Sequence, residues 1–323
     1  MKGSILMPKI KEKISLDKKN QQLLQMLINN SRTSITNIAK KLRLSKPAVL
    51  HRLRQLEQKE VILDYILYTN LKPAGFQFYL VLFEVDKEKE EITIEELLKN
   101  KFTSALFQLG GKFNLLWMCW CRDSKHFQEI FPSFNIKDLR ILPGITNFFD
   151  SYHLFEELHN LKLSPEKLIE HHLDKIDTII LEELKNDSRK SLVDLSSKCR
   201  ITAEAIKHRI KKLESAGVIL SYFTNFNIFK LGFQPYCILI KSNRSEQEKI
   251  LQFLRAHPHT NGQYLLSHEF DLCCFVVVED ISQLRQFLNQ LSSFSSVIEF
   301  ETHLCTDQLC SDSFPKGVKE YKQ

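Results

Sequence analysis

At 323 residues the chain has room for two to four compact domains of the usual 100–200 residue size, and its 43% hydrophobic and 26% charged residues are those of an ordinary soluble globular protein. No run of about 18 apolar residues is present, which excludes a membrane-spanning helix, and residues 1–15 lack a signal-type apolar block, so the chain is expected to stay in the cytoplasm. Eight cysteines are scattered, mostly within apolar segments, and neither Cys119-Trp120-Cys121 nor Cys305 with Cys310 has zinc-site spacing. Neither metal, disulfide nor cofactor is expected.

Asp17 caps a first helix whose apolar residues Leu24, Leu27 and Ile28 keep helical spacing. A second, short helix starts at Ser34 and turns Ile35, Ile38, Ala39 and Leu42 inward. The Arg43-Leu44 link leaves room only for a sharp turn before a third helix, capped by Ser45, with Pro47 in its first turn and Val49, Leu53 and Leu56 on one face. That is a helix-turn-helix, and the strand-like segment Val61 to Thr69 follows it as a wing. Beyond come a strand at 77–85, a helix at 92–100, strands at 105–109 and 114–121, a helix at 124–139 and a strand at 145–154, the β-α-β-β-α-β order of a ferredoxin-like domain. The exposed face of such a sheet needs a cover, and Phe78, Tyr79 and Phe83 point to sheet-to-sheet packing.

The chain then repeats itself. At an offset of 157 residues Ser31-Arg32 matches Ser188-Arg189, His51-Arg52 matches His208-Arg209, Leu56-Glu57 matches Leu213-Glu214, Val61-Ile62-Leu63 matches Val218-Ile219-Leu220 and Gly75-Phe76-Gln77 matches Gly232-Phe233-Gln234. Matching His153-Leu154 to His303-Leu304 implies that the second copy has lost seven residues near Ile141 to Ile145. The expected organisation is α+β: helix-turn-helix at 1–70, ferredoxin-like domain at 71–156, charged and helical linker at 157–172, second helix-turn-helix at 173–227, second ferredoxin-like domain at 228–306, and a tail at 307–323. Two such copies can fold against each other as a pseudo-dimer.

With the apolar face of the third helix turned inward, Ser45, Lys46, Leu50, His51 and Arg54 face outward, as do Lys207, His208 and Lys211 in the copy, while Arg52, Lys59, Arg209 and Lys212 flank them. Polar and basic tips of this kind read base edges in a major groove, and neighbouring cations neutralise phosphates. Charge supports that reading, because residues 1–63 hold fourteen Lys or Arg against four Asp or Glu in a chain whose net charge is only +6. Residues 174–220 are nearly balanced, with ten basic and eight acidic side chains, so the first unit is expected to carry more of the non-specific affinity. Glu204 stands where the first copy has Pro47 and would repel phosphate.

A capped helix-turn-helix, a third helix running from Ser45-Lys46-Pro47 to Leu56-Glu57, the wing start Val61-Ile62 and a ferredoxin-like domain together resemble the Lrp/AsnC family of prokaryotic regulators, and Leu173-Asp174-Lys175-Ile176-Asp177 with Leu213-Glu214-Ser215-Ala216-Gly217 resemble it more closely still. The resemblance implies a nucleoid-associated transcription regulator that binds double-stranded DNA, forms oligomers and answers to an amino acid or related effector. The family's effector signature is a glycine-containing turn before an aromatic-Asp pair. Gly110-Gly111 with Asn114 keeps the glycines, whereas Ser267 to Asp271 keeps the acid, so the two halves are expected to share one composite effector site or to have lost it. Sirohaem decarboxylases also look like this family, and on that alternative His126, His153, His268 and His303 are the residues to handle tetrapyrrole carboxylates. No GxGxxG, P-loop, HExxH or nucleophile elbow is present, and catalytic residues are not assigned.

Overall fold

The computed structural model describes residues 13–131, 136–148 and 168–320. The first half runs α1 (Lys18–Asn29), α2 (Ile35–Leu42), α3 (Lys46–Gln58), β1 (Ile62–Thr69), β2 (Gln77–Glu84), α4 (Lys87–Lys99), β3 (Thr103–Gly110), β4 (Leu115–Cys121), α5 (Ser124–Ile130) and β5 (Asp138–Phe148). The second repeats it as α6 (Lys175–Asn186), α7 (Leu192–Cys199), α8 (Ala203–Ser215), β6 (Ile219–Phe226), β7 (Gln234–Ser242), α9 (Gln247–Ala256), β8 (Thr260–Leu266), β9 (Leu272–Val278), α10 (Ile281–Ser292) and β10 (Val297–Ser311), then adds α11 (Lys316–Glu320). Each copy is thus a helix-turn-helix followed by a β-α-β-β-α-β unit.

The two four-stranded sheets close on each other. Their strand order, β10-β3-β4-β2-β5-β8-β9-β7, is a barrel whose seams are β10 against β3 and β5 against β8. Strands β4 and β9 are buried at every position because helices cover them outside and the opposite sheet covers them inside. On the outside, Leu97 and Phe127 pack over Val81, Leu115 and Trp117 in one half, and Leu254 and Phe287 over Ile238, Leu272 and Val276 in the other. Sheet-to-sheet packing between halves therefore holds through Phe78, whereas Tyr79 and Phe83, expected to share in it, face the covering helices, with Tyr79 stacked on Phe127; closure leaves no unpaired seam between the sheets.

Outside the barrel β1 pairs antiparallel with β6, so the strand in the wing position pairs with its counterpart from the other half. Helix α1 packs on β6 and α6 on β1. The exchange is symmetric in detail: Ser31 N–H donates to the Tyr222 carbonyl and Ser188 N–H to the Tyr65 carbonyl, at 2.9 and 2.8 Å. Ser31 and Ser188, equivalent residues of the two copies, share a buried hydroxyl–hydroxyl hydrogen bond of 2.6 Å and so mark the pseudo-twofold axis.

Several sequence expectations need correction. The helix expected at 124–139 ends at Ile130, and the strand expected at 145–154 is already running at Asp138. Pairing also fixes the register of the repeats. Phe83 faces Leu139 and Leu80 faces Leu142, while their counterparts Ile240 and Cys237 face Phe300 and His303. Leu142, not His153, is therefore the equivalent of His303, and the second copy gains residues before its last strand instead of losing seven; its covering helix α10 is the longer one. Residues 307–311 are not a tail, since β10 continues through them to pair Gln308 with Phe107 and Ser311 with Ala105, closing the barrel. Beyond it Phe314 is 2% exposed. Most of the linker and His153 lie outside the described residues, but 168–172 form no helix, and His171 N–H donates to the Pro73 carbonyl.

Candidate functional site

The two recognition helices are built by local chemistry. Ser45 and Thr202 cap α3 and α8, their hydroxyls accepting from Ala48 N–H and Ala205 N–H at 3.2 Å each. The turn before each contains a non-glycine residue in the left-handed region, Arg43 (φ 52°) and Arg200 (φ 56°), whose backbone N–H groups donate to the carbonyls of Ala39 and Lys40 and of Ser196. Val49, Leu53 and Leu56 are buried under α3, as Ile206, Ile210 and Leu213 are under α8.

That burial turns the candidate residues outward. Ser45, Lys46, Leu50, His51, Arg54 and Lys59 are all exposed, and so are Lys207, His208, Lys211 and Lys212. Leu50, a large apolar residue, is 39% exposed in the middle of this face. Lys207 is drawn toward Glu204 at 3.5 Å, which lowers the free positive charge of the second face.

Arg52 and Arg209 stand apart from the others. Arg52 Nη1 binds Asp17 at 2.7 Å and Asn20 at 2.9 Å; Arg209 Nη1 binds Asp174 at 2.6 Å and Asp177 at 2.8 Å. The Arg52 hydrogen bond, first among several causes, holds the Asp17 carboxyl below its usual range. These half-buried guanidiniums clamp each recognition helix to the N-terminus of the first helix of its unit, α1 or α6, a different job from the free phosphate contact expected of them. At the other end of each helix a second tie runs to the ribbon: Tyr65 O–H donates to Glu57 at 2.8 Å and Tyr222 O–H to Glu214 at 2.7 Å. Recognition helices, caps and ribbon therefore form one mechanical unit.

The candidate effector loops meet at the far end of the barrel. Asn114 Oδ1 accepts from Val85 N–H at 2.9 Å, and Asp271 Oδ2 accepts from Ser242 N–H at 2.8 Å, the equivalent bond in the other half. An amide oxygen does that work as well as a carboxylate, so the Asn-for-Asp difference between halves is conservative here. Gly110 lies at the seam, where Leu304 pairs with it, and Gly111 has φ 135° with open space around it. Ser267 is tied to the other half by its N–H, which donates to the Pro143 carbonyl at 2.9 Å.

Between the loops lies a residue that the sequence did not single out. Arg140 is wedged between Phe113 and Phe270, repeat equivalents, with its guanidinium carbon 5.1 and 5.2 Å from the ring centroids. Its Nε binds Glu269 at 2.9 Å and its Nη1 binds Glu301 at 2.5 Å. His303 Nε2 is 3.2 Å from Glu301, and its burial lowers the imidazole pKa. The repeated Phe positions were legible as a match; the one arginine between them has no repeat partner of its own kind and left no signal.

The other histidines do not converge. His126 accepts from Arg122 N–H at 3.0 Å beside the Phe102 ring, on a covering helix, and His268 is exposed on its loop. Among the described residues no group of three or more His, Cys, Asp or Glu is arranged to hold a metal, and no helix is long and apolar enough to cross a membrane. Cysteines 119, 121, 237, 273, 274 and 305 are buried, and burial pushes the thiol pKa of Cys119 and Cys274 well up. A cavity of about 110 Å3 opens at the opposite end of the barrel, against the β1–β6 ribbon.

A winged helix-turn-helix DNA-binding family model matches residues 16–62 and again 173–219, and an Lrp/AsnC ligand-binding domain model matches 236–313. An uncharacterized helix-turn-helix-type transcriptional regulator of Pyrococcus abyssi is 34% identical over 123 residues, which cover 37% of this chain and 79% of the relative. The chain belongs to the Lrp/AsnC family. A second Lrp/AsnC relative, the helix-turn-helix-type transcriptional regulator LrpC of Bacillus subtilis, is 26% identical over 138 residues, 42% of this chain and 94% of LrpC. Each relative thus matches about one copy of the tandem. The two-copy fold is shared with the siroheme decarboxylase NirDL, at a TM-score of 0.62 and 10% identity over 94% of this chain and 96% of that one.

Proposed function

We propose that this tandem Lrp/AsnC chain is a sequence-specific double-stranded DNA-binding transcription regulator whose two recognition helices act from one intramolecular pseudo-dimer. The observation that carries the reading is the pair of capped, rigidly clamped helices with exposed Lys46, His51, Arg54 and Lys207, His208, Lys211, related by the axis through Ser31 and Ser188. Side chains of these types on such helices read base edges, and successive major grooves on one face of a duplex lie about 34 Å apart. Naming of the relatives as transcriptional regulators supports the same reading.

The first unit supplies most of the non-specific attraction, because residues 1–63 hold fourteen basic against four acidic side chains and residues 174–220 ten against eight, and Lys207 faces Glu204. We infer that an amino-acid-like effector binds at the composite seam, its carboxylate displacing the half-exposed Glu269 from Arg140, a reading that the Arg140–Glu269 ion pair supports. The test is selection of bound fragments from genomic DNA at a stated salt concentration, followed by anisotropy titration of the best duplex with and without amino acids. Lys46→Ala with Arg54→Ala is expected to weaken binding and flatten its salt dependence more than Lys207→Ala with Lys211→Ala. No binding to any duplex at low salt removes the proposal.

The shared fold with NirDL raises a second reading, an enzyme acting on a tetrapyrrole. Carboxylate-bearing macrocycles need cationic partners. Among the described residues lining the barrel cavity none is Lys, Arg or His, and a volume of about 110 Å3 is too small for a macrocycle. Absence of an absorbance change on adding sirohaem is the matching expectation.

A further inference from the structure

The cavity between barrel and ribbon has the features of a small-molecule site. Its floor is aromatic: Phe78 and Tyr264 stack at 5.2 Å, Trp120 meets Phe78 edge-on at 5.1 Å, and Phe275 stands 6.1 Å from Tyr264. The ribbon closes it from above with Tyr68 and Phe223, whose rings are 5.5 Å apart. For scale, an apolar cavity of about 150 Å3 holds benzene, so a one-ring guest enters this smaller space, of about 110 Å3, only by lifting the ribbon from the barrel.

The polar atoms on this wall carry the chemical information. Asn147 is 8% exposed, and among the described residues its Oδ1 has no hydrogen-bond partner; the buried Asn261 Oδ1 on the same wall is equally unpartnered among them. Leaving a buried acceptor unmade costs about 1–3 kcal/mol, which a guest with N–H donors recovers. Asp307 adds a half-buried carboxylate to the lining, and no described lining residue is cationic. A guest's carboxylate would find no counter-charge here, whereas an ammonium would meet acceptors, an acid and aromatic faces.

We propose that this cavity binds a small primary amine with a flat apolar body of about one ring and no carboxylate, its ring among Phe78, Trp120, Tyr264 and Phe275 and its ammonium toward Asn147, Asn261 and Asp307. The location gives such binding a consequence. Tyr68 lies on β1, the strand whose Tyr65 is tied to Glu57 at the end of α3, so a guest that shifts the ribbon shifts a recognition helix. That consequence rests on the DNA-binding reading; the binding itself does not.

Isothermal titration of the full chain with benzylamine, and with benzoate as its anionic counterpart, tests the site. Benzylamine is expected to bind with a Kd of about 1 mM or tighter and to change Trp120 fluorescence, with benzoate at least about tenfold weaker. Ala105→Leu, which fills the cavity from β3, abolishes the titration, and Asp307→Asn weakens it about tenfold without adding volume. Equal binding of benzoate, binding unchanged in both variants, or no heat from benzylamine overturns the proposal. Circular dichroism separates lost binding from lost fold in Ala105→Leu, and Asp307→Asn decides if that variant does not fold. DNA affinity is measured separately with and without benzylamine: failure to bind any duplex counts against the regulator and leaves the titration standing, while an unaltered duplex affinity removes only the coupling.

Discussion

The paired clamps of the recognition helices provide an internal control for what a buried charge costs. Arg209→Met keeps the apolar stem but strips the guanidinium from Asp174 and from Asp177, whose side chain is only 6% exposed. Breaking a buried pair from one side costs about 3–5 kcal/mol, and His171, hydrogen-bonded to the other Asp177 oxygen at 3.1 Å, keeps the expected loss near the lower end, about 3 kcal/mol. Arg52→Met removes the equivalent group from Asp17, whose side chain is 53% exposed, and from Asn20, which bears no charge. Its loss is that of an exposed pair, about 0.5–1 kcal/mol. A difference of about 2 kcal/mol separates the melting temperatures by roughly 4–8 °C for a unit of 150–250 residues. Thermal unfolding followed by circular dichroism at neutral pH reads this directly. Equal shifts, or a larger one for Arg52→Met, refute the argument that burial of Asp177 sets the cost.

Burial, with help from His259, lowers the His257 pKa from its ordinary 6.5 to about 4, so the folded chain holds this imidazole neutral where the unfolded chain protonates it. Stability is therefore present above pH 6.5 and drains away as pH falls toward about 4; urea midpoints across that window are expected to fall less steeply in His257→Phe. A Cβ at Gly144 would lie 2.8 Å from the Phe78 ring and 3.2 Å from its carbonyl oxygen, so Gly144→Ala is expected to destabilise the β5–β8 seam by about 1–3 kcal/mol in a urea melt. Arg140→Glu sets three carboxylates together just beyond the Gly144 end of that seam and lowers the melting temperature, and adding Glu301→Arg is expected to restore part of the loss in a double-mutant cycle.

Local chemistry makes the helix-turn-helix units legible in the sequence. Asp17, Ser34 and Ser45 cap the helices the sequence assigns to them, because an N-cap needs only a side-chain oxygen and the amide three residues on. Long-range pairing is less visible. Residues 307–311 are polar enough to pass for a tail, yet irregular pairing with β3 carries them to the end of the barrel. The shared His-Leu at 153 and 303 is a coincidence of letters that strand pairing overrides. Charge type is equally mute on role, since Arg52 and Lys59 read alike in sequence as flanking cations and only packing shows one clamped and the other exposed. The cavity draws on residues from both halves, which no single segment announces.

Arg140 and Glu301 occupy the same place in the two repeats, opposite Leu82 and Leu239 respectively, and meet across the axis. Were two first halves from separate molecules to associate in the same way, arginine would confront arginine; two second halves would bring glutamate against glutamate. Once the duplicated sequences had diverged to this complementary pair, each half recognised its tethered sibling better than its own twin. The complementary pair therefore favours closure within one chain over exchange between chains.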